Sequence, residues 1–238
     1  MYAFEPTAYL VDRFLKVLQK GLPAGVFTPI QKAVSDIEGT FQFNIAGKKP
    51  GCSSLNEFSN NLNESWPEIK SFKVTDQVEV ETIRLDNFIK QNNIEQIDHL
   101  HCDVQGHDLK VLKSLGNDIE KVVAGRVEAY NYNPLYKNTD NSVLEIIEYL
   151  DSHGMRVKNR DLLLDHNHKD IRPEGYKGHK YKEVNIKFYG PRYSRDVVWF
   201  FAMPICYKEN TNEKEVKDIY EWFNIHKPKY GGTFHAKE

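Results

Sequence analysis

Apolar positions along this 238-residue chain alternate between a strand period and a helix period. Tyr2 to Phe4 reads as a short strand. Pro6 fits the first turn of a helix whose Leu10, Phe14 and Val17 share a face until Gly21 stops it. The span 26–34 reads as the next strand, and Thr40 to Ile45 as a β-segment after the turn at Glu38-Gly39. Residues 47–70 are polar and rich in Asn, Ser and Gly, which predicts loop. Val78, Val80 and Thr82 alternate with charged neighbours, which predicts a half-exposed strand over 74–83, and a short helix is expected over 86–92. Ile97 to Cys102 reads as a buried strand. A polar turn follows, then a helix with Leu109, Leu112 and Leu115 on one face and Gly116 at its end. The near-continuous apolar run 122–127 predicts a strand ending at Glu128, and Ser142 with Glu145 forms a capping box opening a helix to about His153. Residues 160–195 read as a basic, aromatic insertion, 197–203 as a dense apolar strand, and 212–223 as a last amphipathic helix before a Gly-rich tail. Strands alternating with helices predict an α/β domain with a mostly parallel sheet covered on both faces.

The length suits one such domain: 1–206, with the insertion at 160–195, followed by a C-terminal helix and tail over 207–238. Thirty-two Lys and Arg against 34 Asp and Glu leave a net charge of -2, which gives no long-range pull toward nucleic acid or an anionic membrane. Cys52, Cys102 and Cys206 are odd in number and far apart, so neither a disulfide framework nor a zinc knuckle is suggested. No apolar run reaches the ~20 residues of a membrane helix. Glu5 and Asp12 interrupt the start, so it does not read as a secretory signal, and a cytoplasmic location is expected.

Chemistry concentrates where the central strand ends. In an open α/β sheet, ligands sit past the carboxyl ends of strands, and Asp103 stands there with Gly106 in the turn after it. The plainer role for Asp103 is a helix N-cap. Glu128 follows the next apolar run in the same way. Glu5 in Phe4-Glu5-Pro6 either binds a ribose diol or complements the helix N-terminus beside it. Ala33-Val34-Ser35-Asp36 with Gly39 also suits an ordinary turn, and Ser53-Ser54-Leu55 alone carries no signal.

Taken in order, Phe4-Glu5-Pro6, Ala33-Val34-Ser35-Asp36 and the run from Ile97 through Asp103-Val104-Gln105-Gly106-His107-Asp108 to Leu115 resemble FkbM-type methyltransferases. That resemblance implies a Rossmann-like class I methyltransferase fold with an antiparallel last strand, and S-adenosylmethionine as cofactor. It implies that Glu5 holds the cofactor ribose and that Ala33, Val34, Ser35 and Asp36 edge the adenine. Ser54 would lie near the cofactor, and Asp103 would anchor its amino group or act as base, with Glu128 facing the same crevice. Glu5, Asp103 and Glu128 are therefore expected to converge. Gln105 departs from the family's Glu, and His101 from its common Lys, which removes one charge of each sign. The family's first strand and Gly-rich loop have no counterpart here. The chain as given is therefore expected to bind S-adenosylmethionine weakly, unless an upstream segment or a partner completes the sheet.

His99, His101, His107 and Asp108 surround Asp103, yet no HxxxH or HExxH spacing occurs, so no metal is expected. The insertion mixes Lys and Arg with Tyr and Phe. That pattern suits a solvated lid, or contact with sugar, phosphate or single-stranded nucleic acid. The leading expectation is O-methylation of a hydroxyl on a small acceptor, a saccharide or related metabolite, with no nucleic-acid or membrane partner. The competing ones are a non-catalytic fragment or binding module that keeps the fold, and a transferase using a nucleotide sugar.

Overall fold

The computed structural model describes residues 1–18, 26–47, 50–60, 62, 73–130, 134–158 and 183–190. These fall into two compact units, Met1–Ala33 and the described part of Val34–Arg195.

In the first unit β1 (Tyr2–Phe4) leads into α1 (Ala8–Leu18) and returns as β2 (Thr28–Ile30). The two strands pair in parallel, Tyr2 opposite Thr28 and Phe4 opposite Ile30. This is the strand–helix–strand unit the sequence predicts, with the helix starting two residues after Pro6. The span read as one strand over 26–34 is two. Lys32 N–H bonds back to the Ile30 carbonyl, the chain turns, and β3 (Ala33–Val34) joins a different sheet.

The second unit holds two sheets among its described residues. In the first, β4 (Gly39–Ala46) and β5 (Val74–Ile83) form an antiparallel ladder with Phe41 opposite Val80, and β3 lies on the far side of β5. In the second, β6 (Leu100–His101), β7 (Ala124–Tyr130), β8 (Arg156–Lys158) and β9 (Glu183–Tyr189) lie in the order β6-β7-β9-β8. Only β6 and β7 run parallel in this sheet; β9 is antiparallel to both of its neighbours. Pairing among the described residues is therefore mixed, not mostly parallel.

Helices α2 (Leu85–Gln91), α3 (Asp108–Ser114) and α4 (Val143–Ser152) come from this unit. The capping box is present: Ser142 accepts from Glu145 N–H while the Glu145 carboxylate accepts from Ser142 N–H. Helices α3 and α4 pack on β7. Leu112 of α3 and Leu115 at its C-terminal end, Val127 and Ala129 of β7, and Ile146, Ile147 and Leu150 of α4 are all fully buried.

Two expectations change here. The strand after Val122 begins at Ala124 and runs through Glu128 to Tyr130, so Glu128 lies inside it and not at its end. Part of the region read as a lid is a core strand: in β9, Ile186 and Phe188 are fully buried. The expected strand at 197–203 and the helix at 212–223 lie outside the described residues.

Candidate active site

Strand β6 leaves the sheet early. Its last ladder bond runs from Cys102 N–H to the Arg126 carbonyl. The next two outward groups of β7, the N–H and C=O of Glu128, therefore need other partners, because a buried unpaired backbone group costs free energy. Asp108 and Asn141 supply them. Asp108 Oδ1 accepts from Glu128 N–H at 3.0 Å, and Asn141 Nδ2 donates to the Glu128 carbonyl at 2.9 Å. Asn141 Oδ1 also accepts from Leu109 N–H at 2.8 Å, so one buried side chain ties the start of α3 to β7. Asp108 Oδ2 reaches Val104 N–H at 3.4 Å. Neither residue had a role assigned from the sequence. In the sequence Asp108 shows as the later acid of the FkbM-like run and as a metal candidate that the spacing does not support, and Asn141 only as the residue before the capping box.

The turn between β6 and α3 is built on left-handed backbone at Gln105 (φ 58°) and Gly106 (φ 82°). A Cβ on Gly106 would sit 2.8 Å from Tyr136 Cδ2, so the turn presses against an aromatic side chain. The carbonyls of Gln105 and Gly106 both accept side-chain hydrogen bonds. Ser54 Oγ donates to the Gln105 carbonyl at 2.8 Å. Asn56 Nδ2 and Thr139 Oγ1 both donate to the Gly106 carbonyl, at 3.0 and 2.6 Å. The Tyr136 hydroxyl lies 2.7 Å from the Cys52 carbonyl and 3.0 Å from Gln105 Oε1.

Asp103 is half-buried, and Gln105 Nε2 donates to its Oδ1 at 2.6 Å. Burial raises its pKa; the Gln105 bond and the Arg126 charge pull the other way. Asp108, fully buried, is pushed up to about 7, chiefly by desolvation, and its two backbone bonds oppose that. His99, His101 and His107 are each brought down to about 4, with burial the largest cause.

Ser35, buried in the segment after β3, lies with Oγ 3.0 Å from His107 Nε2 and donates to Asp36 Oδ1 at 3.2 Å. Ala33 and Val34 beside it are buried. Ser35 and Ser54, from two segments far apart in sequence, thus bond to the same turn that carries Asp103. Glu128 lies two residues past Arg126 in β7, and Arg126 pairs with His101, which Asp103 follows by two. Glu5 belongs to the first unit. Its Oε1 accepts from both Thr7 N–H and Thr7 Oγ1, at 2.8 and 2.7 Å, just ahead of α1. That is the helix-complementing role, and it engages one of the two carboxylate oxygens. Burial raises the Glu5 pKa against those two bonds.

Residues 1–157 match the Methyltransferase FkbM domain, a span containing every one of these segments. The chain belongs to the FkbM methyltransferase domain family. No curated protein and no solved structure gives a significant match. Membership of the FkbM family makes the chain a methyltransferase by class. Among the described residues no three His, Cys, Asp or Glu side chains are grouped to hold a metal ion, and no helix is long and apolar enough to cross a membrane.

Proposed function

We propose that the chain transfers a methyl group from S-adenosylmethionine to a hydroxyl of a saccharide or related small metabolite, on a Rossmann-like class I fold, in the cytoplasm. The observation that carries this is the joining of Ser35, Ser54 and Asp103 at one turn. Residues that the family resemblance assigns to the cofactor meet there although about 20 to 70 positions separate them. Their meeting fits a nucleoside held against a strand end.

Bound S-adenosylmethionine would supply an electrophilic methyl group. The chain's own residues would do the rest. Ala33 to Asp36 would edge the adenine, and Ser54 would fix the turn beside it. Asp103 would accept the proton as the acceptor oxygen bonds to the methyl carbon and the carbon–sulfur bond breaks. Oδ1 is held by Gln105, so Oδ2 is the oxygen assigned to that proton. Its raised pKa makes it a better base than an ordinary exposed Asp. Alignment of donor and acceptor is the larger share of catalysis, and the turn's bonds to Ser54, Asn56 and Thr139 support it. Glu128 would flank the acceptor.

Transfer of radiolabelled methyl to a panel of hydroxyl acceptors tests this. Asp103→Asn is expected to lower turnover roughly 100-fold or more while cofactor binding persists. Cofactor binding without transfer to any acceptor, in the wild type, would favour a non-catalytic binding module instead.

A further inference from the structure

The register of the four-stranded sheet lines up His101, Arg126, Lys187 and Lys158, one on each strand. Each is directly opposite the next, and directly opposed residues project to the same face of a sheet. That makes two consecutive like-charged cross-strand pairs, Arg126 with Lys187 and Lys187 with Lys158. Such pairs destabilise a sheet, and sequences tend to keep a local rule broken where function requires it.

Arg126 is held ready. Its Nε donates to Asn185 Oδ1 at 2.6 Å, from the neighbouring strand, and this fixes the plane of the guanidinium. Its two Nη groups have no hydrogen-bond partner among the described residues. A guanidinium so oriented suits bidentate binding of a carboxylate or phosphate. Arg126 and Lys187 are half-buried and Lys158 is exposed, so the row opens outward at the β8 edge.

We propose that this row, centred on Arg126 with Lys187 and Lys158, is the seat for an oxyanion carried by the methyl acceptor. The acceptor would then be an acidic saccharide or related metabolite, a uronate or a sugar phosphate, and not a neutral sugar. The electrostatics agree with the geometry. Burial, then repulsion from Lys158 and Arg126, holds the Lys187 ammonium below its usual value. Arg126 also acts on Asp103, lowering its pKa, so the two are electrostatic neighbours. Asp103 lies two residues beyond His101, at most about 7 Å of extended chain. Arg126 lies across from His101 by one strand spacing, about 5 Å, so the two steps together stay within about 9 Å, a span that one monosaccharide bridges with its anion on Arg126 and a hydroxyl at Asp103. The link to a methyl acceptor rests on the function proposed above; the anion seat itself does not.

The test is binding of glucuronate, glucose 6-phosphate and glucose to the full chain, by calorimetry at low and moderate salt, with S-adenosylmethionine binding measured separately. At least one anionic probe is expected to bind about tenfold or more tighter than glucose and to weaken with salt. The stronger of the two identifies carboxylate or phosphate as the group recognised. Arg126→Gln should abolish that preference, and Lys158→Gln, at an exposed position that folding tolerates, should reduce it about threefold or more. Equal binding of all three probes, or an unchanged preference in both variants, would overturn the proposal. Anion binding without cofactor binding would leave the seat standing and remove the S-adenosylmethionine-dependent transfer proposed above; cofactor binding without anion preference would do the reverse.

Discussion

Asn141, fully buried, closes two backbone hydrogen bonds at once, to Leu109 N–H and the Glu128 carbonyl. Asn141→Ala leaves both unpaired in a dry interior, at about 1–3 kcal/mol each. Urea unfolding of the variant should show a midpoint lowered accordingly, with the slope unchanged. At Gly106 the left-handed backbone and the Tyr136 ring both exclude a Cβ. Gly106→Ala is expected to cost about 2 kcal/mol or more and to distort the turn around Asp103. The same unfolding series, with near-ultraviolet circular dichroism of the tyrosines, checks this. Gly106 was legible in the sequence because a glycine after a strand end signals a turn. Asn141 was not, because both of its partners come from segments paired only in the fold. Gly125 belongs with it: a Cβ there would collide with the Phe188 ring, 63 positions away in the chain.

At the scale of elements, legibility followed local pattern. The capping box at Ser142, the alternation of β5 and the apolar face of α3 are all set by near neighbours, and all stand where the sequence places them. The extent of β7 was misread because Glu128 looked like an end. Strand length there is set by Asp108 and Asn141, which replace β6 as edge partners. Strand β9 was hidden by its setting. Val184, Ile186 and Phe188 alternate with polar residues, but the surrounding lysines and tyrosines suggested a lid. Phe188 and Ile186 instead fill the sheet's inner face. Phe188→Ala should lose about 3–5 kcal/mol, visible as a large drop in the urea midpoint. A lid residue would lose almost nothing, so this single variant separates the two readings.

For the whole molecule, buried titratable groups make acid stability a test of the site's packing. His99, His101 and His107 have pKa values near 4 in the folded chain against a usual 6.5. Depressed values give stability that is full above about pH 6.5 and lost as pH falls toward 4. Asp108 acts in the opposite sense. Its folded pKa of about 7, against 3.8, gives stability present at low pH and lost as pH rises through 7. Three histidines against Asp108, with smaller opposing shifts at Asp103 and Glu5, leave a net loss of stability between pH 6.5 and 4. Asp108→Asn removes part of the opposition, so its stability should fall more steeply over that window. Thermal unfolding at successive pH values measures both slopes, and a shallower slope in Asp108→Asn would mean the Asp108 site is not buried as described. If Ser35, Ser54 and the Asp103 turn hold the cofactor, a backbone nuclear magnetic resonance titration of the full chain with S-adenosylhomocysteine will register it, since such shifts report even weak binding. Saturable shifts are expected at Ser35, Asp36, Ser54 and Gln105 to His107, and they should persist in Asp103→Asn. No shift at these residues at millimolar ligand, or saturable shifts confined to other parts of the chain, would contradict it.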